Sequence, residues 1–287
     1  MFNEFLATHE KLKNANVEDP LLETLRFFDI RSDGALGRAG LCQDGQTKID
    51  IETVVRKREL GIPIEHILGK ACFMGRSFRC SPDTFLPTEQ SGLLIEAART
   101  LLQERASAEK GPLVLDIGTG CGNLAITLAL TSASVRVFAS DISPAAIEIA
   151  RTNVSRYGLD HRVFLLAGDL LSPFQEGGYE GTIDMILCNP PYIPTRSIGK
   201  LPRELAEHGP RVAFDGGPFG IDLYRRLIKE APALLKPGGI LLFEIGEMQE
   251  RLITRILEDQ GGYGDIVFYN HGEKVRAMSA RKKQGSV

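Results

Sequence analysis

A chain of 287 residues, 43% of them hydrophobic, is long enough to bury one large core or two unequal ones. Its 34 basic and 37 acidic residues are interleaved and leave a net charge of −3, so it lacks the basic footprint of a partner held mainly through nucleic-acid phosphates. No apolar run approaches a membrane span, and five cysteines without a C-x-x-C pair argue against a disulfide framework or a zinc site.

The first 69 residues show helical periodicity and no phosphate-binding glycine loop. Phe2, Phe5 and Leu6 give one apolar face. Asp19 and Pro20 read as the cap and first position of a helix. Arg31 to Thr47, rich in Gly and Asp, reads as loop, and Ile49 to Leu60 as a helix stopped by Gly61 and Pro63. A small helical domain over 1–69 follows. Phe73 to Cys80 alternates around Gly75, which predicts a β-hairpin linker over 70–86 and a larger domain over 87–287. Cys72 and Cys80 read as free buried thiols. His66 reads as a histidine satisfied by nearby backbone, and Ser91 to Leu102 as a helix capped by Ser91. The odd cysteine count and the lack of a secretory pattern point to the cytoplasm.

From Gly111 strands and helices alternate, which predicts a parallel sheet. Leu113 to Ile117 is an apolar strand running into Gly118-Thr119-Gly120-Cys121-Gly122 and then a helix, Asn123 to Leu130. Such glycines allow a tight turn and a ligand close to the main chain. The pattern is G-x-G-x-G, not the G-x-G-x-x-G of dinucleotide sites. Val135 to Ala139 predicts a second strand, ending at Ser140-Asp141-Ile142. Asp141 stands about 20 residues beyond the glycines, where an acid takes ribose hydroxyls. Pro144 opens a helix to Tyr157. Val163 to Ala167 ends at Gly168-Asp169-Leu170, where Asp169 could accept from the exocyclic amine of a base. Singly, Asp141 and Asp169 also suit helix caps or turns. Asp116, Asp141 and Asp169 at three successive strand ends, beside the glycines, point to a nucleoside.

Met185 to Cys188 predicts a buried strand that stops at Asn189-Pro190-Pro191-Tyr192. Two prolines cannot continue a ladder. The Asn189 side-chain oxygen and the Pro190 carbonyl are acceptors for the two N–H groups of an amide or amine, and Tyr192 adds an aromatic face. An –NH2 gripped this way aims its nitrogen at an electrophile. Ile193 to Gly220 reads as a long functional loop. Asp222 to Leu235 predicts a helix stopped by Lys236-Pro237-Gly238-Gly239. A strand, Ile240 to Ile245, a helix, Gln249 to Asp259, and a closing hairpin around His271-Gly272 complete the chain. The five histidines are scattered, and no metal is expected.

These motifs, in this order, resemble the class I S-adenosylmethionine-dependent methyltransferases. More narrowly they resemble the HemK/PrmC group, which methylates the glutamine side-chain amide in the Gly-Gly-Gln motif of peptide-chain release factors. The resemblance runs from Pro63 to Arg281 and includes Pro63 to Gly69, Leu115 to Gly122, Asn189 to Tyr192, Gly216-Gly217, Gly220 and Phe243 to Gly246 with Gln249. It implies a Rossmann-like α/β fold, a mostly parallel seven-stranded sheet with helices on both faces. It implies S-adenosylmethionine held by Asp116, Gly118, Thr119, Gly120, Gly122, Asp141, Ile142, Asp169, Leu170 and Asn189. It implies catalysis at Asn189, Pro190 and Tyr192, with Pro191 also on the substrate, and a release factor as partner of a monomeric enzyme. One stretch departs: the family's P-R-P-D-T-E is here Pro87-Thr88-Glu89-Gln90-Ser91-Gly92, without the Arg, the Asp and the final Glu. The residues therefore leave open a paralogue acting on a small molecule or another peptide amide, less so on a nucleic-acid base, and a binding module without catalysis.

Overall fold

The computed structural model describes residues 2–15, 17, 19–31, 51–103 and 111–285. Near the amino end lie α1 (Phe2–Asn14), α2 (Pro20–Arg31), α3 (Ile51–Glu59) and α4 (Ile64–Leu68). Asp19 caps α2 as expected, its Oδ1 accepting from the Leu22 amide at 3.0 Å. The helices close over Phe27, Val54, Ile64 and Ile67. On α1 the buried side is built on Thr8 and Leu12, not Leu6, which is exposed. The expected loop over 32–47 lies outside the described residues, as does Cys42. His66 lies half-buried against the Thr84 backbone, the group expected to satisfy it, although neither ring nitrogen makes a hydrogen bond of good geometry.

The hairpin forms where the alternation places it, β1 (Lys70–Phe73) against β2 (Arg76–Arg79), with Met74 and Gly75 turning at positive φ. Cys72 stands opposite Ser77, so it does not face Cys80. Cys80 is a buried thiol with its S–H on the Glu65 carbonyl. The hairpin is fastened to the larger sheet by Asn153, fully buried, which accepts from the Arg79 amide and donates to the Arg79 and Cys121 carbonyls.

The remaining strands are β3 (Leu113–Ile117), β4 (Arg136–Asp141), β5 (Val163–Ala167), β6 (Ile183–Cys188), β7 (Leu235–Glu244), β8 (Tyr263–His271) and β9 (Lys274–Lys282). They form one sheet in the order β5-β4-β3-β6-β7-β9-β8, with β9 alone antiparallel to its neighbours. Alternating side chains divide the core. Val114, Met185 and Leu242 face α5 (Gly92–Gln103) and α6 (Asn123–Thr131), with Val154 of α7 (Pro144–Arg156). Leu115, Ile186 and Phe243 face α9 (Asp222–Leu234) and α10 (Glu250–Gln260). Strand order reverses between β3 and β6, and there the ligand crevice of an open α/β sheet opens at the carboxyl ends. Ile117 pairs with Cys188, so the glycine loop and the Asn-Pro-Pro-Tyr turn leave the sheet side by side.

Three expectations are corrected. Ser91 does not cap α5: Thr88 accepts from the Ser91 amide and starts a 3-10 turn over Glu89–Ser91, while the Ser91 hydroxyl is used elsewhere. Helix α9 stops just before Lys236 as expected, but the strand does not wait for Ile240: Lys236 to Gly239 lie inside β7, in a bulge where the register with β6 jumps from Ile183↔Leu235 to Met185↔Ile240. The loop from Ile193 to Gly220 is a closed lobe containing α8 (Arg203–His208) and two 3-10 turns, Thr195–Lys200 and Arg211–Ala213. Its neck is zipped by Ile193 N to Phe214 O, Gly216 N to Ile193 O and Thr195 N to Gly217 O, each at 2.9 Å.

Candidate active site

A cavity of about 960 Å³ sits over the carboxyl ends of β3 to β6. Gly118, Thr119, Gly120, Asp141, Ile142, Asp169, Leu170 and the whole turn Asn189 to Tyr192 line it. Asp116 and Gly122 do not. A Cβ built on Gly122 would stand 3.2 Å from Ile126 and 3.4 Å from Ala150, so this glycine serves the approach of α6 to α7. Asp116 is fully buried beneath the loop. Its Oδ2 accepts from Thr119 Oγ1 at 2.7 Å and the Ala125 amide at 3.1 Å, and its Oδ1 has no partner. Burial pushes its carboxyl up to about 6.

Gly118 and Gly120 have φ of +72° and +55°, and a Cβ on either would meet nothing within 4 Å. The loop therefore turns a bare main chain toward open space. Four of its five amides are engaged: Gly118 N and Thr119 N donate to Ser140 O, Gly120 N donates to Asp141 Oδ2, and Gly122 N donates to Thr119 O. A pyrophosphate cradle needs free backbone donors at this point. With these four donors spent, the loop suits a nucleoside that carries no phosphate better than a dinucleotide.

Asp141 is the pivot of that arrangement. Oδ2 accepts from Gly120 N and Oδ1 from Ser143 N, both at 2.9 Å. Each oxygen keeps a lone pair for a hydroxyl. Burial raises this carboxyl above its ordinary value, and the amide bonds work against that rise. Asp169 is paired in bidentate fashion with Arg226 of α9, at 3.2 and 2.7 Å. Both side chains are about half exposed and line the cavity, so the pair is weak and each Asp169 oxygen keeps an accepting site.

At the other end of the cavity stands the turn after β6. Asn189 Nδ2 donates to Ser91 Oγ at 3.1 Å. Tyr192 donates its hydroxyl to Glu244 Oε1 at 3.3 Å; burial, with Glu244 alongside, raises its phenol well above the ordinary value and keeps it a donor. The turn is clamped from outside by Gln249, whose Nε2 donates to the carbonyls of Tyr192 and Gly220 while its Oε1 accepts from Gly246 N. A Cβ on Gly220 would lie 2.2 Å from the Tyr192 carbonyl, which explains the glycine there. Gln90, Ser91, Glu244, Gln249 and Arg226 are site residues that the chain-order reading did not assign. Glu244 and Gln249 belong to the quoted carboxyl-terminal motif, but no spacing joins them to Asn189.

Among the described residues no group of three or more His, Cys, Asp or Glu side chains is placed to hold a metal ion, and no helix is long and apolar enough to cross a membrane.

The arrangement can now be compared with known proteins. Residues 91–221 match the family model described as methyltransferase small domain. The release factor glutamine methyltransferase of Moorella thermoacetica is 37% identical over 231 residues, covering 80% of this chain and 78% of that protein. The enzyme of the same name from Geobacter sulfurreducens is 35% identical over 260 residues, covering 88% and 87%. Among solved structures, a methyltransferase from Pyrococcus furiosus superposes with a TM-score of 0.50 at 21% identity, covering 72% of this chain and 89% of that one, which speaks for the fold. By its sequence similarity over four-fifths of its length, the chain belongs to the release factor glutamine methyltransferase family.

Proposed function

We propose that this protein methylates the side-chain amide nitrogen of a glutamine in a peptide-chain release factor, the one in its Gly-Gly-Gln loop, with S-adenosylmethionine as cofactor. The observation that carries the reading is the orientation of Asn189. With Nδ2 given to Ser91, its carbonyl oxygen is the atom left to face the cavity, beside the Pro190 carbonyl. Two acceptors suit the two N–H bonds of an –NH2, while a hydroxyl can meet only one of them and a carboxylate neither.

When bound, the cofactor supplies an electrophilic methyl group on a sulfonium and leaves as the thioether. The rest falls to the chain. An amide nitrogen is a poor nucleophile because its lone pair is delocalised into its own carbonyl. Asn189 and Pro190 hold both N–H bonds and point the nitrogen along one line, and positioning of this kind supplies up to roughly 7–11 kcal/mol in well-oriented systems. The same oxygens stabilise the positive charge that develops on nitrogen, and one N–H proton then departs to water. Tyr192 stacks on the planar amide. Gly118, Gly120 and Asp141 bind the nucleoside and methionine portions, Ile142 and Leu170 flank the base, and Asp169 accepts from its amine. Asp116 holds the loop from beneath through Thr119 and the Ala125 amide.

The departure at Thr88 to Gly92 leaves the site furnished. Ser91 retains a hydroxyl where the family pattern has Thr, and Gln90 donates to Glu244 at 2.8 Å where the pattern has Asp. The helical domain over 1–69 holds the protein substrate together with the lobe. Arg58 of α3 meets Glu204 of α8 at 2.5 Å, and His208 of α8 meets the Leu60 carbonyl at 2.8 Å. The protein works as a monomer in the cytoplasm, where its free thiols stay reduced.

Incubation with a purified release factor and cofactor, followed by mass spectrometry, should show a gain of one methyl group on that glutamine. An unmodified loop, with label on a metabolite or another peptide of the same extract, would move the protein to a different acceptor. Cofactor binding has its own check. Asp141→Ala removes the carboxylate and frees the Gly120 and Ser143 amides, so calorimetry should show S-adenosylmethionine binding weakened by about tenfold or more, at about 1–3 kcal/mol for the lost acceptor. Unchanged affinity would remove Asp141 from the site.

A further inference from the structure

Glu244 is the most deeply buried carboxylate at the substrate end of the cavity, at 2% exposure. It is the last residue of β7, at the carboxyl end beside the Asn-Pro-Pro-Tyr turn. Three side chains donate to it: Ser91 Oγ to Oε2 at 2.7 Å, and Gln90 Nε2 and Tyr192 Oη to Oε1 at 2.8 and 3.3 Å. Glu244 lies outside the groups given a role in methyl transfer above, and Ser91 enters there only as the partner of Asn189 Nδ2.

We infer that Glu244, acting through Ser91, is a positioning residue that sets which end of the Asn189 side-chain amide faces the acceptor, and so makes the site selective for an –NH2. The inference rests on the reading of the acceptor as an amide. Burial raises the Glu244 carboxyl, and the three donors turned to it oppose that rise and hold it as an acceptor, so the Ser91 proton is committed to Oε2. With its proton directed there, Ser91 Oγ is an acceptor toward its other neighbours. Thr88 Oγ1 stands 3.0 Å away and supplies a hydroxyl proton to one lone pair. The other faces Asn189, which can meet it only with Nδ2. The amide cannot turn over without placing its oxygen against a saturated acceptor. Its Oδ1 is held toward the cavity.

A neutral Gln at 244 breaks the chain of commitments. Gln90 and Tyr192 already donate to the Oε1 side, so the new –NH2 must go to the Ser91 side. Ser91 then accepts there, and its own proton is released to Thr88 Oγ1 or to Asn189. The amide is no longer held one way, and its flipped form presents a donor to the acceptor's –NH2 and suits a carboxylate instead.

Two measurements on the full-length protein test this. The first needs no acceptor: exchange of the Asn189 side-chain amide protons with water, followed on nitrogen-15-labelled protein. Wild type and Ser91→Thr should exchange alike, while Ser91→Ala and Glu244→Gln should exchange about tenfold faster, as loss of one charge-linked hydrogen bond requires. Equal exchange in all four overturns the inference, whatever the acceptor proves to be. The second is steady-state methylation of a release factor. Ser91→Ala and Glu244→Gln should lose about tenfold to a hundredfold in kcat with the KM for S-adenosylmethionine unmoved, and Ser91→Thr should restore kcat to within about threefold. A release factor whose loop glutamine is replaced by glutamate should inhibit Glu244→Gln better than wild type. Equal losses in both KM values with no change in this preference would reduce Glu244 to a packing role. A wild type that leaves the release factor unmodified would defeat the acceptor reading alone, since the exchange measurement still decides the orientation.

Discussion

Replacing Asn189 by Ala should lower turnover with the true acceptor by about 10²–10³-fold, the loss seen when one preorganised hydrogen-bonding group is removed from a developing charge. Cofactor affinity should stay within a few-fold, because the nucleoside end of the cavity is built from the glycine loop and Asp141 and not from this side chain. The Pro190 carbonyl remains and still accepts one N–H, so the acceptor binds but its nitrogen is free to swing off line. The loss therefore falls on kcat more than on the acceptor KM. Asn189→Asp sharpens the test. It keeps an acceptor facing the cavity, but its second oxygen would confront Ser91 Oγ, whose proton is directed to Glu244. Two acceptors 3.1 Å apart repel, so this nearly isosteric change should be almost as damaging as Ala. Single-turnover rates and calorimetry on the three proteins separate the steps. Near-normal turnover in Asn189→Ala would end the in-line positioning model.

The cofactor half of the site was legible in the sequence because its parts are local. Leu113–Ile117 and Val163–Ala167 are uninterrupted apolar runs bounded by turn residues, and the structure starts and ends those strands at the same residues. Parallel connection then brings their carboxyl ends together without further information. The same locality explains one misplacement: Asp116 and Gly122 sit in the motif, yet one points under the loop and the other packs a helix against its neighbour.

The substrate half was legible only as a turn, since its supports are remote. Ser91 and Glu244 are separated by 153 positions, and Asn189 and Ser91 by 98. No periodicity or cap rule reports such contacts. Ser91 even satisfied a local rule, the helix cap, that Thr88 in fact fulfils. The lobe after Tyr192 looked like loop because its helical turns are short, three to six residues each, and interrupted by prolines. What makes it a unit is the zipped neck, a tertiary feature.

A remote contact of the same kind governs how the helical domain is held, and it should have the largest effect on stability. Arg58 is buried, with its side chain at 4% exposure, and meets three partners. Nε lies 2.9 Å from Glu23 of α2, Nη1 donates to the Ile62 carbonyl at 2.6 Å, and Nη2 reaches Glu204 of the lobe at 2.5 Å. Arg58→Met keeps much of the packing volume and leaves Glu23, itself 7% exposed, with the half-exposed Arg26 at 3.4 Å as its remaining cation. Breaking a buried pair from one side costs about 3–5 kcal/mol. The cost should depend on pH, and its sign follows from the carboxyl. Burial already holds Glu23 above its ordinary value, with Arg58 the main opposing influence, so losing Arg58 pushes it higher still. A carboxyl raised on folding binds its proton more tightly in the native state. Its penalty is therefore absent below the unfolded value, near 4.5, and grows as pH rises through the higher native value. Urea unfolding should show Arg58→Met weaker by about 1 kcal/mol at about pH 4, where the lost bond to the Ile62 carbonyl remains, and by several kcal/mol at about pH 8. Adding Glu23→Gln should recover much of the loss at pH 8, since a neutral amide carries no stranded charge. In the folded variant Glu204 has lost its anchor, so the KM for the release factor should rise while cofactor affinity holds. A loss that is equal at both pH values, or a double variant no better than the single one, would show that Arg58 acts through packing and not through the charge on Glu23.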